Sequence, residues 1–160
     1  IGIQGHIDFQ MATLVKAAGV AGGYLATSRV WAELMMNRAR SFIYSTAPPP
    51  AQAAAAVKAL EVIQSEEGNK LRKRLWRNIT TFTTASGMKG SCSSAIIPWI
   101  IGDSEKTLKL SAELRYHGFQ VPAIRYPTVA RNTARLRITI SSSHDKTSIE
   151  ALANYLRPSL

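Results

Sequence analysis

Residues 10–24 read Gln-Met-Ala-Thr-Leu-Val-Lys-Ala-Ala-Gly-Val-Ala-Gly-Gly-Tyr, and the centre of this stretch is Lys16. Asp8 to Leu14 form a short, mostly apolar run of the kind a buried strand accepts, and Gly19, Gly22 and Gly23 come after the lysine. The lysine is therefore expected at the end of a strand, in a flexible turn. An amine so placed can lose part of its hydration, which disfavours the ammonium form and frees the nitrogen to form a Schiff base with a carbonyl compound. Taken by itself, the pattern also suits an ordinary solvated loop lysine.

Working outward, Gly23 to Thr27 reads as a second short strand, and Ser28 is a plausible N-cap for a helix through Val30, Trp31, Leu34 and Met35. Ser41 to Thr46 reads as extended, and Pro48, Pro49 and Pro50 stop regular structure. Ala51 to Thr80 is a long helix candidate, with a break or kink at Gly68, or two helices in sequence, expected because glycine costs about 1 kcal/mol against alanine inside a helix. Thr83 to Ser94 reads as a loop. Ala95 to Ile101 is a strand, and Pro98 within it requires an edge position or a bulge. Asp103 or Ser104 caps a helix running to His117, which Gly118 ends. Phe119 to Ile124 and Arg135 to Ile140 are further strands, and Thr147 to Leu156 closes the chain as a helix. The β-α-β-β-α order fits a small two-layer α/β domain.

Composition narrows the function classes. A hydrophobic content of 46% in 160 residues supports a core for one domain, or for a small domain plus part of another. The single cysteine, Cys92, cannot form an internal disulfide, and His6, His117 and His144 lack the paired spacing of a metal site. No apolar run has transmembrane length and the N-terminus has no leader pattern, so a cytoplasmic protein is expected. Net charge is +10, partly concentrated in Lys70 to Arg77 (Lys-Leu-Arg-Lys-Arg-Leu-Trp-Arg). Leu71, Leu75 and Ile79 share one helical face there and the cations spread over the remainder. A solvated helix face accounts for this. The alternative is an acidic partner, either a nucleic acid or the phosphate-bearing carrier of an acyl thioester. No signature of an RNA-recognition motif, zinc finger or homeodomain favours nucleic acid.

Side chains alternate along Arg135 to Ile140, which puts Arg135, Arg137 and Thr139 on one face and Leu136, Ile138 and Ile140 on the other. The apolar face packs. Two guanidinium forks on the opposite face suit a carboxylate, and an amino-acid substrate carries one.

Three separated stretches resemble one family in order along the chain. They are Thr-Leu-Val-Lys-Ala-Ala-Gly from Thr13 with the following Gly-Gly-Tyr, Arg38 to Gln52, and Val121 to His144. Together they resemble the α-oxoamine synthases, pyridoxal-phosphate enzymes that join an amino acid to an acyl thioester. The resemblance implies an α/β fold: the second half of a transferase large domain over residues 1–50, a linking helix over 51–81 and a small two-layer α/β C-terminal domain over 82–160. It implies that Lys16 holds pyridoxal 5'-phosphate and later serves as base, with the Thr13 hydroxyl on the cofactor phosphate. Ser45 and Thr46 match a segment that reaches the phosphate of a neighbouring subunit, which implies a homodimer. Arg137 matches the position that holds the substrate carboxylate, Thr128 lies near substrate, Arg125 is a second contact, and Arg135 is structural.

Departures from the family pattern are Val15 before the lysine, Tyr126 where proline is common, and Ala130-Arg131-Asn132 in place of a proline and glycine. Asn132 can still adopt the left-handed turn of a glycine. The most similar members condense alanine with a pimeloyl thioester, on coenzyme A or an acyl carrier protein, losing carbon dioxide on the way to biotin. Glycine-using members are the alternative. A non-catalytic partner-binding remnant and a basic nucleic-acid-binding protein are the readings outside that chemistry. Because family members are longer, the 160-residue chain is expected to be a fragment without activity alone.

Overall fold

Antiparallel pairing of β1 (Phe9–Thr13) with β2 (Gly23–Thr27) turns the lysine stretch into a hairpin, with Met11 opposite Leu25 and Thr13 opposite Gly23. The structure, a computed structural model, describes residues 2, 4–90 and 92–157 and divides into two units, Ile1–Asn69 and Lys70–Leu160. Around the hairpin, the first unit holds α1 (Arg29–Arg38), α2 (Arg40–Ile43) and α3 (Pro50–Gln64). Phe9 packs on Trp31 of α1 with ring centroids 5.3 Å apart, and the Gln52 amide of α3 donates to the Ala21 carbonyl.

Two expectations for this unit need correction. The strand before the lysine is not buried, since Met11 is 73% exposed and every β1 residue but Ala12 lies open. A two-stranded ribbon has no third strand or full helix layer over its faces, so apolar side chains stay wet. Ser41 to Thr46 is not extended either, because the chain turns helically at α2, where the Ile43 and Tyr44 amides donate to the Ala39 and Arg40 carbonyls. Without a partner strand, local hydrogen bonds satisfy this backbone.

The long helix candidate is two helices in sequence, one of the forms expected of it, α3 and α4 (Glu66–Ser86). Their break falls at Ser65, three residues before Gly68. Ser65 is extended, and its hydroxyl accepts from the Gly68 amide at 3.2 Å, as an N-cap does. Gly68 is instead the residue that lets the two helices meet, since a Cβ there would lie 2.3 Å from the Val62 oxygen and 2.6 Å from the Ile63 oxygen. Gly68→Ala should destabilise the junction by about 1–3 kcal/mol, because both obstacles are backbone atoms. The check is the exchange rate of the Asn69 amide, which donates to Ser65 at 3.0 Å and should exchange faster in the variant.

The second unit contains the core. β3 (Ile96–Gly102), β5 (Ala134–Thr139) and β4 (Ala123–Ile124) form an antiparallel sheet in the order β3-β5-β4. Ile97 and Trp99 of β3 and Leu136 and Ile138 of β5 face Ile79 and Phe82 of α4, Leu114 of α5 (Ser104–Tyr116) and Ile149, Leu152 and Leu156 of α6 (Lys146–Leu156). Pro98 sits on an edge strand, as its missing donor requires, and the register slips further along, between Ile100 and Gly102. α5 starts at Asp103, whose carboxylate accepts from the Lys106 amide at 2.8 Å. It ends in a Schellman turn, with the Phe119 amide on Leu114 and the Gly118 amide on Arg115 across a left-handed Gly118.

Two boundaries differ from expectation. Helix α4 continues to Ser86 through what reads as loop, because Phe82 and Ser86 are buried and the hydroxyls of Thr80, Thr81, Thr83 and Ser86 bond back along the helix. Ser91, in the remainder of that expected loop, lies outside the described residues. The strand expected from Phe119 shrinks to Ala123–Ile124. Between Gly118 and Pro122 the chain leaves β5 after a single bond from the Arg137 amide to the Pro122 carbonyl.

Candidate functional site

Lys16 opens a four-residue turn inside the hairpin loop. The Gly19 amide donates to the Lys16 carbonyl at 3.3 Å with Gly19 at φ +63°, and the Leu14 amide donates to Gly22 and its carbonyl accepts from Val20 at the base of the loop. A left-handed residue is needed at this point, and glycine adopts it without strain. The backbone thus holds Lys16 at the mouth of a closed loop. Its side chain is exposed, and its amine has no hydrogen-bond or ion-pair partner among the described residues.

Thr13 ends β1 on the same hairpin, three residues before the lysine, with its hydroxyl also free of partners. Ser45 spends its hydroxyl on the Ser41 carbonyl, capping α2, while the exposed Thr46 hydroxyl is uncommitted. One amine and two free hydroxyls in this unit are donors of the kind an aldehyde and a phosphate require. The donor set fits the cofactor implied by the resemblance.

In the other unit Arg137 and Thr139 point from the open face of the sheet, opposite the core, with Pro98 paired to Arg137 and Ile96 to Thr139. The Arg137 guanidinium has no partner among the described residues, whereas Arg135 donates to the Thr133 carbonyl at 2.9 Å. Arg137 also borders a cavity of about 330 Å³ with Val121, His144, Ser148, Ile149 and Leu152, where the chain has parted from β5. Arg125 lines a different groove with Tyr126, Arg131 and Asn132, where Arg131 stacks 4.5 Å over the Tyr126 ring. Thr128 lies in the turn between, its amide donating to the Arg125 carbonyl at 3.0 Å. The structure thus joins Arg125 to Thr128 through one turn and sets Arg137 on another cavity. Asn132 adopts φ +60°, the left-handed conformation expected of it.

Sequence reading passed over the support beneath Arg137's cavity. Buried Asn78 of α4 donates to the carbonyls of Ser141 and His144 at 2.9 and 3.0 Å, and His144 Nδ1 accepts from the Ser141 amide at 3.2 Å. That acceptor role leaves Nε2 to carry the proton of the neutral imidazole. The available signal was Asp145 three residues before Ser148, a capping pattern at the start of α6.

Asp145 accepts from both the Ser148 amide and hydroxyl, at 2.8 and 2.7 Å. The backbone bond first and the hydroxyl second hold its carboxyl below the ordinary value of 3.8. A depressed pKa in the folded state contributes stability that is present above the ordinary value and is lost as pH falls through the lowered one. Acid titration of the second unit should therefore show a loss of stability below about pH 4 that Asp145→Asn flattens, measured as urea midpoint against pH.

Residues 1–156 match the family model for aminotransferase class I and II, and the chain belongs to that family. Among curated proteins it is similar to 8-amino-7-oxononanoate synthases. It is 45% identical to that of Methylorubrum populi over 92% of this chain and 37% of that protein, and 42% identical to that of Arabidopsis thaliana over 96% of this chain and 31% of the relative. The chain spans well under half the length of these relatives. Among solved structures, the Francisella tularensis 8-amino-7-oxononanoate synthase superposes with a TM-score of 0.77 at 28% identity, over 93% of this chain and 44% of that one. A structure of SPT holding PLP superposes with a TM-score of 0.87 at 25% identity, over 99% of this chain and 41% of the other. The α/β class read from the sequence stands, as does the family resemblance carried by its three stretches.

Proposed function

We propose that this chain is the lysine-bearing and arginine-bearing part of a pyridoxal-phosphate-dependent acyltransferase of the 8-amino-7-oxononanoate synthase type. The whole protein would condense alanine with a pimeloyl thioester, lose carbon dioxide and serve biotin synthesis, as a cytoplasmic homodimer. The observation that carries the reading is the unpartnered Lys16 amine at the mouth of a glycine-closed loop, three residues beyond a free Thr13 hydroxyl.

Lys16 would hold the cofactor's aldehyde carbon, and Thr13 a phosphate oxygen. By the resemblance, Ser45 and Thr46 would reach the phosphate bound in a second subunit. Bound pyridoxal phosphate supplies an electron sink for charge developing at the amino acid's α-carbon. Once released by the incoming amino acid, the Lys16 amine is the base that takes the α-proton and later returns one. Arg137 offers both guanidinium edges to the substrate carboxylate, and its lack of a protein partner leaves the fork free. By the resemblance, Thr128 would lie near the substrate and Arg125 would be a second contact. Catalysis would require the remainder of the longer protein, and residues 1–50, 51–81 and 82–160 would take the roles of large-domain part, linking helix and small domain.

The test is borohydride reduction of the purified chain with pyridoxal phosphate, followed by peptide mapping. Lys16 should carry the label in preference to the other seven lysines, and Lys16→Ala should remove it. A chimera in which this chain replaces the matching part of the Methylorubrum populi protein should condense alanine with a pimeloyl thioester and lose that activity with Lys16→Ala. A chimera that folds and stays active without Lys16 would overturn the assignment.

A further inference from the structure

The net charge of +10 lies wholly in one unit. Fifteen of the twenty basic residues and five of the ten acidic ones fall within Lys70–Leu160, and Ile1–Asn69 carries five of each. The densest run is on α4, where Lys70, Arg72, Lys73, Arg74 and Arg77 are all exposed and no acidic residue follows Glu67. The opposite side of the helix is committed to the core through Leu75, Asn78, Ile79 and Phe82.

Lys70, Lys73, Arg74 and Arg77 stand at i, i+3, i+4 and i+7, so they form one stripe. The stripe is about 10 Å long at helical rise. That is close to the Debye length of about 8 Å at physiological salt, so its cations act on a partner as one field. Among the described residues the ion pairs are Arg29 with Glu33, Lys58 with Glu61 and Lys146 with Glu150. None involves the stripe. Trp76 stands beside it, 47% exposed, an amphipathic edge of the kind that anchors protein contacts.

We propose that the α4 stripe is the docking surface for an acidic carrier protein that presents the acyl thioester. The inference rests on the acyltransferase reading above, which requires a thioester on some carrier. A single phosphate ester needs a concave site with converging donors. Cations spread along a convex helix do not converge. An acidic helix laid along α4 meets them one turn after another, gaining encounter rate and register from complementary charge.

The experiment titrates an unacylated, acidic acyl carrier protein into the 160-residue chain by calorimetry at about 0.15 M salt, the ionic strength at which exposed charges are screened over about 8 Å. Saturable binding is expected, weakening at least tenfold in Lys73→Glu/Arg77→Glu, whereas Lys106→Glu/Lys109→Glu, the same charge change on α5, should bind nearly as the parent chain does. Carrier variants with acid-to-lysine changes should recover binding to the α4 variant. Absence of binding, equal weakening by both pairs of substitutions, or tighter binding of a random DNA duplex than of the carrier would overturn the proposal. Lys16→Ala should not alter carrier binding, so loss of the lysine assignment and loss of the docking surface are read separately.

Discussion

Phe82→Ala is expected to remove about 3–5 kcal/mol from the stability of the Lys70–Leu160 unit, the range for truncating a fully buried aromatic side chain. Phe82 has no exposed surface and meets Trp99 edge-on, with ring centroids 6.2 Å apart. It is where α4 closes over the sheet, among Ile97, Leu136 and Ile138. The loss combines the transfer of a large apolar group with a cavity that three rigid neighbouring elements cannot collapse to fill. Because a small domain is stable by about 5–15 kcal/mol in total, the variant should sit near the edge of folding. Urea unfolding followed by Trp99 emission, with Trp31 and Trp76 replaced by phenylalanine, measures it. The exposed neighbour Thr84→Ala should stay within about 0.5 kcal/mol. A loss for Phe82→Ala below about 1 kcal/mol would mean that α4 does not pack as described.

Amide hydrogen exchange should separate the two units by roughly a thousandfold, the second largest effect expected, since local opening free energies run from near zero up to the global value. Every buried apolar side chain among the described residues belongs to the second unit, and in the first only Gly68 is buried. Amides of Phe9–Thr27 should exchange by local opening of a hairpin whose faces carry exposed Phe9, Met11, Tyr24 and Leu25. Amides of Trp99, Leu136 and Ile138 should exchange only with the whole core. Hairpin amides as slow as those of β5 would show that the apolar faces of the first unit are covered in solution. The same contrast bears on chemistry. A lysine on a ribbon that opens freely cannot be held within catalytic distance of a substrate, so Lys16 needs added packing to work as a base.

Much of the second unit was legible because it obeys local rules. The alternation of Arg135 to Ile140 named its buried and open faces, Asp103 and Gly118 marked both ends of α5, and Pro98 marked an edge. Asn132 announced its left-handed backbone. Two of the errors share one cause, namely that the deciding partner is distant in sequence. Asp8 to Leu14 looks buried, yet burial depends on layers the hairpin itself does not contain. Thr83 to Ser86 looks like a loop, yet Phe82 and Ser86 are buried with a core whose next members, Ile97 and Trp99, lie 11 or more residues further on, and the helix continues. Gly68 reads as a helix breaker, whereas the break belongs to Ser65 and the glycine serves a backbone approach that no propensity encodes.

For the candidate site the division is similar. Sequence alone determined the family, the lysine with its glycine-rich turn, and the pairing of an arginine fork with an apolar strand face, because these depend on residue order and on the two-residue period of a strand. Only the tertiary structure decided that Arg137 is free while Arg135 is tied to Thr133, that Arg125 belongs to a separate groove, and that Asn78 pins the turn carrying His144. It also placed the whole excess of positive charge on one unit, with five of that unit's fifteen cations exposed on α4. The physical reason is that hydrogen-bond partnership and burial are relations between residues far apart in the chain, settled when the core forms and not before.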